Sequence, residues 1–353
     1  MNSSIIVYRL YDVADEINLE LVEALWTSCN KIASRLRLQK ISPRSITFKD
    51  PPVLVELGSH EMTFAGKEYL ADIRARIFDI GVVSLIIRLE LPDGMSYEEY
   101  EDVSIAIGNL PEDVIREYVD ATLETIKPAC TKMRISEYDE DFTVYYFQDY
   151  LPDWDYVPIL LKDPNPVSQE THDETLANRF SYSPNDLTYL TWDSAVVFDK
   201  AGSMDLPDLL EFANAQFLEL RYYDNALNGA IDHFYDEIDP LNQNENMRKT
   251  PTYRTVRSKL MEQMADMSVL TSNIDNALQV TEDVFYARIY ARYMFLLKAS
   301  SWRESISNKL NVIQRCYSLL NEEVNVHRFT TFAYTLAGLL GAILIVLIIG
   351  LFV

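Results

Sequence analysis

Residues 205–240 read DLPDLLEFANAQFLELRYYDNALNGAIDHFYDEIDP, and the fold turns on how this stretch is placed. Leu206, Leu210, Ala213, Phe217, Leu220, Leu227, Ile231, Phe234 and Ile238 recur at alternating steps of four and three. That spacing draws one apolar stripe along an α-helix, the pattern of a coiled-coil seam. Asp205 stands at the N-cap position, and Pro240 is expected to end the helix. One seam position, Asp224, is charged. A carboxylate buried between helices needs a partner. Arg221 one turn earlier, and Arg288 and Arg292 further on, are the expected partners in a structural ion pair that sets register.

Working outward, helix breakers divide the chain. All 14 prolines lie at or before Pro251, and no glycine lies between Gly229 and Gly338. Residues 252–337 are therefore expected to be helical, with a break at QVTEDVF where Thr281 can N-cap a new helix. The first of these helices, 252–280, aligns Val256, Leu260, Met264, Met267, Ile274 and Leu278. The second aligns Ile306, Leu310, Ile313, Tyr317, Leu320 and Val324. Phe285, Tyr286, Tyr290 and Tyr293 also share helical spacing, which reads as core packing, with a partner surface as the alternative. Residues 201–328 thus read as a three-helix stalk.

The stalk leads into FTTFAYTLAGLLGAILIVLIIGLFV, residues 329–353, which carries no charge. A helix of that length spans roughly 37 Å, against about 30 Å of hydrocarbon. The sequence therefore predicts one C-terminal transmembrane helix with the bilayer as a partner. Lys309, Arg315 and Arg328 precede it, so the positive-inside tendency places the body in the cytoplasm and the protein, single-pass, in the cytoplasmic (inner) membrane. Ala337, Gly338, Gly341 and Ala342 form small-residue pairs that let membrane helices pack closely.

Residues 1–200 have a different rhythm. SIIVYRL reads as a strand, and NLELVEALWTSCNKIASRL as an amphipathic helix. EYLADIRARIFDIGVVSLIIRLEL reads as two strands around Asp79-Ile80-Gly81. Helices near 97–107 and 111–127 follow, then the strand DFTVYYFQDY and the strand or hairpin DLTYLTWDSAVVFD. The expected fold class is an α+β N-terminal domain of ferredoxin-like type, followed by the long helical stalk and the membrane helix.

With 54 acidic and 31 basic residues, the net charge is -23, which argues against nucleic acid as a partner. Three scattered cysteines and four scattered histidines offer no metal-site spacing. There is no P-loop, GxGxxG, GxSxG or HExxH, and no cofactor is expected. DHFYDEID places Asp232, His233, Asp236 and Glu237 within two helical turns, a candidate metal cluster set against the plainer reading of a solvated acidic face.

FDIGVVSLIIRLELP, EDFTVYYFQDY, FSYSPNDLTYLTWDSAVVFD, LLEFANAQFLELRYYD and the run from Glu282 to Arg328 resemble, in order, the required-for-meiotic-nuclear-division protein family, over roughly residues 75–353. The resemblance is to its bacterial branch and implies a domain of unknown function with one membrane helix. The unbroken seams and the small-residue faces suggest a homo-oligomer, and the family's mitochondrial members form homo-oligomers. The resulting expectation is a membrane-anchored cytoplasmic scaffold or tether, a non-catalytic homo-oligomer with an unnamed protein partner. The alternatives are a CorA-like ring-forming ion channel or transporter, and a membrane-tethered enzyme with a metal site near Asp232–Glu237.

Overall fold

Arginine alternates with alanine and isoleucine along Ile73-Arg74-Ala75-Arg76-Ile77, and this alternation places one strand between two different layers. In a strand, side chains two apart share a face. The computed structural model describes residues 3–28, 33–35, 50–243 and 283–315, with 258 and 318. Its strands are β1 (Ser3–Asp12), β2 (Glu16–Ile17), β3 (Ala33–Arg35), β4 (Val53–Phe64), β5 (Lys67–Ile77), β6 (Val82–Leu91), β7 (Cys130–Thr131), β8 (Asp139–Phe147), β9 (Arg179–Phe180), β10 (Asp186–Leu190) and β11 (Ser194–Asp199). Nine of them form one sheet in the order β3-β4-β5-β6-β1-β8-β11-β10-β9. Only the β8–β11 neighbours run parallel. A parallel pair needs a long crossover, which the chain between Phe147 and Ser194 supplies.

Helices α1 (Leu19–Ser28), α2 (Tyr97–Ala106), α3 (Glu112–Ile126), α4 (Val157–Leu161) and α5 (Gln169–Leu176) lie between the strands in sequence. Ser96 opens α2 with a capping box, its hydroxyl accepting from Glu99 N–H while the Glu99 carboxylate accepts from Ser96 N–H. Tyr100, Val103, Ile115, Val119 and Leu123 from α2 and α3 share one core with Ile5, Val7, Ile73, Leu85, Ile87 and Tyr145 of the sheet. The opposite sheet face presents Ile6, Tyr8, Leu10, Ile86 and Val144, also buried. Strands covered on both faces read as near-continuous apolar runs, as SSIIVYRLYD does.

The second face is covered by α6 (Asp205–Gln243), over its part up to Tyr222, and by α7 (Val284–Leu296). Phe212 of α6 meets Phe78 at 6.0 Å between ring centroids, and Tyr293 of α7 meets Phe142 at 5.2 Å. Every residue of 206–220 is buried. The apolar stripe is therefore only part of what α6 hides, because the sheet takes one side and other elements take the rest. Asp208, Glu211, Asn214, Gln216 and Glu219 are enclosed with it.

This corrects the expected fold class. In place of a small ferredoxin-like domain carrying a stalk, a nine-stranded mixed sheet has the first half of the supposed stalk helix inside its own core. Two compact units divide the chain: Met1–Tyr222 with Asn273–Arg303, and Tyr223–Ser272 with Glu304–Val353. Helix α6 runs to Gln243 rather than stopping at Pro240. Asp283, not Thr281, caps α7, accepting from the N–H groups of Phe285 (2.8 Å) and Tyr286 (3.3 Å). The following helix is not continuous with α7: Lys298 takes a left-handed φ of 54°, and α8 begins at 299 and runs to 315. The expected helix over 252–280 lies outside the described residues, apart from 258.

The single-pass membrane architecture and the inner-membrane location find no support among the described residues. Among the described residues no helix is long and apolar enough to cross a membrane. The longest, α6, has the length but is interrupted by Asp208, Glu211, Glu219 and Asp224. The run 329–353, with Ala337, Gly338, Gly341 and Ala342, lies outside the described residues.

The β5–β6 turn was legible and is sterically closed. Gly81 has φ +97°, and a Cβ there would sit 1.9 Å from the Ala14 carbonyl oxygen. Val13 N–H donates to Gly81 O at 2.9 Å, so the turn and the end of β1 hold each other. Gly81→Ala is expected to destabilise the fold by about 2 kcal/mol or more. A urea-unfolding midpoint checks this; an unchanged midpoint would show that the turn can yield.

Candidate functional site

Arg76 leaves the β5 ladder on the α6 side, directly across from Ser84 of β6. One turn of α6 then brings Asp208 and Glu211 to it. The Asp208 carboxylate lies 2.9 Å from one terminal guanidinium nitrogen, and Glu211 pairs with the other. All three side chains are buried, Glu211 completely. Burial pushes the Glu211 carboxyl up to about 7, against the pull of Arg76 and with a further push from Asp208. Burial alone would loosen the Arg76 proton, but the two carboxylates outweigh it and hold the guanidinium charged. The Tyr8 hydroxyl beneath is raised by burial and by Glu211 and Asp208. The group can bind a helix to a sheet and hold a proton near neutrality.

Further along α6 the enclosed polar groups find other partners. Asn214 donates to Leu210 O at 2.8 Å and accepts from the Tyr293 hydroxyl at 2.8 Å. Gln216 accepts from the Tyr290 hydroxyl. A second charged group sits at the end of β1. Arg134 pairs with Asp12 at 3.0 Å and with Asp15, and lies 3.8 Å over the Tyr222 ring. Burial raises the Asp12 carboxyl, with Arg134 opposing.

The outer side of α7 is different in kind. Ile289, Tyr290, Tyr293 and Met294 face inward and are buried. Val284, Arg288, Arg292 and Phe295 are exposed, Phe295 at 64%. Tyr182 (80% exposed) lies 5.5 Å from the Phe285 ring, and Trp192 (67%) is held where its carbonyl accepts from the Tyr293 hydroxyl at 3.3 Å. Arg288 lies 5.6 Å from the rings of both Phe180 and Phe285. Arg292 donates to Asn178 Oδ1 at 2.7 Å and lies 4.9 Å over Phe295. Of the rings the guanidinium groups meet, Phe180 is buried, Phe285 half-buried and Phe295 open to solvent.

The residues singled out in the sequence fall in several places. Asp224 is buried, but its partners are Lys309 Nζ at 2.6 Å and the Ser305 hydroxyl at 2.6 Å, not the three arginines. Arg221 instead pairs with Glu140, while Arg288 lies against Phe180 and Phe285, and Arg292 against Phe295. Heptad spacing shows that a position is enclosed but not which neighbour encloses it. Asp232 is exposed on α6, and the side chains of His233, Asp236 and Glu237 lie outside the described residues. Among the described residues no group of three or more His, Cys, Asp or Glu side chains is placed to hold a metal ion. Of the aromatic stripe, Tyr290 and Tyr293 are core, whereas Phe285 and Tyr286 are half-buried.

Arg76, Asp208 and Glu211 were missed. The available signal was Arg74 and Arg76 alternating with Ile73, Ala75 and Ile77, which reads as a solvent face until a helix covers it. Tyr182, Trp192 and Phe295 come from three separate segments, and only the fold brings their surroundings together.

A mostly antiparallel nine-stranded sheet with helices over both faces defines the class: a mixed helix-and-sheet protein whose covering helix is locked by buried charge. Within it, the chain belongs to the family described as "Uncharacterized protein MJ0711, N-terminal domain", which matches residues 2–205 and so stops where α6 begins. Uncharacterized protein MJ0711 of Methanocaldococcus jannaschii is 24% identical over 217 residues, covering 59% of this chain and 64% of that protein. No solved structure matches. These findings correct the resemblance to the required-for-meiotic-nuclear-division family and its bacterial branch: the family is a different one and the relative is archaeal. The motifs behind that resemblance were alternating strands and aromatic helix faces, which report packing rather than descent.

Glu211 gives a pH dependence. Its folded value of about 7 lies above the ordinary 4.5, so between these pH values the folded state keeps a proton that the unfolded chain has released. Stability is then greatest at the acid end of that window and falls as pH rises, by on the order of 2–3 kcal/mol. Glu211→Gln is expected to flatten this decline. Urea midpoints of both proteins across the window check it; parallel curves would contradict it.

Proposed function

We propose that the chain is an interaction protein, a scaffold that works by holding a polypeptide partner rather than by catalysis. The observation that carries this reading is the exposed Arg288, Arg292 and Phe295 of α7 with exposed Tyr182 beside Phe285, and exposed Trp192, whose backbone meets α7 through Tyr293. Tryptophan, tyrosine and arginine are the side chains that most often dominate protein interfaces. Large rings left in water on a monomer are costly unless something uses them. Here they stand on rigid elements: α7 is capped by Asp283 and pinned inward through Tyr290 and Tyr293. A preorganised face loses little conformational entropy on binding.

The relative in Methanocaldococcus jannaschii carries no activity in its description and so adds none to this reading. The test is a photo-crosslinking amino acid placed at Trp192 in cells, with a control at exposed Glu124 on α3, in the opposite layer. Discrete adducts at Trp192 and few at Glu124 are expected. Equal labelling at both positions, or none at Trp192, would contradict the reading.

A further inference from the structure

The charge of the α7 face sets it apart from the rest of the molecule. In a chain with 54 acidic residues and a net charge of -23, the run from Val284 to Lys298 contains no acid and carries Arg288, Arg292 and Lys298. Exposed Arg179 on edge strand β9 lies next to Asn178, the amide that Arg292 grips. Among the described residues no carboxylate pairs with Arg288 or Arg292; their partners are rings and that one amide. Several other arginines are answered by carboxylates: Arg76 by Asp208 and Glu211, Arg134 by Asp12 and Asp15, Arg221 by Glu140. Apart from the Arg292 Nε–H given to Asn178, the two α7 guanidinium groups meet no carboxylate among the described residues.

We infer that this face docks an acidic polypeptide segment in which carboxylates alternate with large apolar side chains. The inference rests on reading the α7 face as an interaction surface, and adds the chemistry of its occupant. Arg288 and Arg292 are one helical turn apart, about 6 Å along the axis. Two carboxylates of the partner reach both when they are neighbours on one side of an extended or helical segment. Its apolar side chains then cover Trp192, Tyr182, Phe295 and Val284. Burying those rings supplies the affinity, and the charge pairs supply selectivity and fast encounter. A phosphate backbone or an anionic lipid surface would meet the same arginines, but its dense, extended charge is repelled by the acidic body more strongly than a few spaced carboxylates are.

The test uses the full chain and needs no variant at the outset. Fluorescein-labelled short peptides of Glu, Leu and Phe are titrated by anisotropy beside matched peptides with Lys for Glu, or with Ser for Leu and Phe. The Glu-Leu-Phe peptide is expected to bind at least about tenfold more tightly than either control. Its affinity should fall between about 50 and about 300 mM salt. Arg288→Glu combined with Arg292→Glu should reverse the preference toward the Lys peptide, a gain that a misfolded variant cannot show. Equal binding of the Glu and Lys peptides overturns the inference, as does tighter binding of labelled oligothymidine. Light scattering that shows the chain self-associating, with Trp192 shielded from acrylamide in the assembly, also overturns it by making a second copy the occupant. Crosslinks at Trp192 in cells without charge preference in the peptides would leave the interaction reading standing and remove only this one.

Discussion

Burying a guanidinium is costly unless charge answers it at once, and Arg76 is buried in the layer between the sheet and α6. Its position on β5 is fixed by register, since Ile73 and Ile77 on the same strand commit the opposite face to the α1–α4 layer. The charge therefore has one direction to go. Asp208 and Glu211 meet it only if α6 lies on the sheet in one rotation, with Phe212 against Phe78. Hydrophobic burial alone would tolerate α6 rolling or sliding, whereas the ion cluster does not. The remaining polar side chains of that helix follow from the rotation so chosen: Asn214 reaches Tyr293, and Gln216 reaches Tyr290.

That chain of constraints links the buried charge to the exposed face. Tyr290 and Tyr293 are the inward side of α7, and their hydroxyls bond to α6. With them fixed, Val284, Arg288, Arg292 and Phe295 have to point outward, because positions three and four apart share a helix face. The open rings are thus a consequence of satisfying enclosed polar groups on the neighbouring helix. An interface built this way is preorganised, and its charge contrasts with the acidic body that presents it.

Much of the sheet was legible because its signals are local. SIIVYRL, the Asp79-Ile80-Gly81 turn and the 186–199 hairpin each specify themselves through period-two alternation and turn chemistry. Strand β4 was not anticipated. Its largely exposed middle, residues 56–61, with a register shift between Glu56 and Gly58, breaks the alternation that would have marked it. The placement of α6 was misread for a physical reason. A heptad seam reports that one stripe is buried, and gives no sign that a sheet and a second helix enclose the other sides. Asp224 shows the same limit: its burial could be foreseen, but Lys309 as its partner depends on the fold. The exposed face draws on Tyr182, Trp192 and α7, which no sequence spacing connects.

The enclosure of α6 is the claim on which the rest stands, and native-state hydrogen exchange measures it directly. Amides of residues 206–220 should exchange only with the unfolding that also exposes β1 and β6, with similar protection around the whole helix circumference. A stalk helix would behave otherwise, with amides on one side exchanging early and independently of the sheet. That second pattern, with Glu211 and Asn214 exchanging well ahead of β1, would contradict the account.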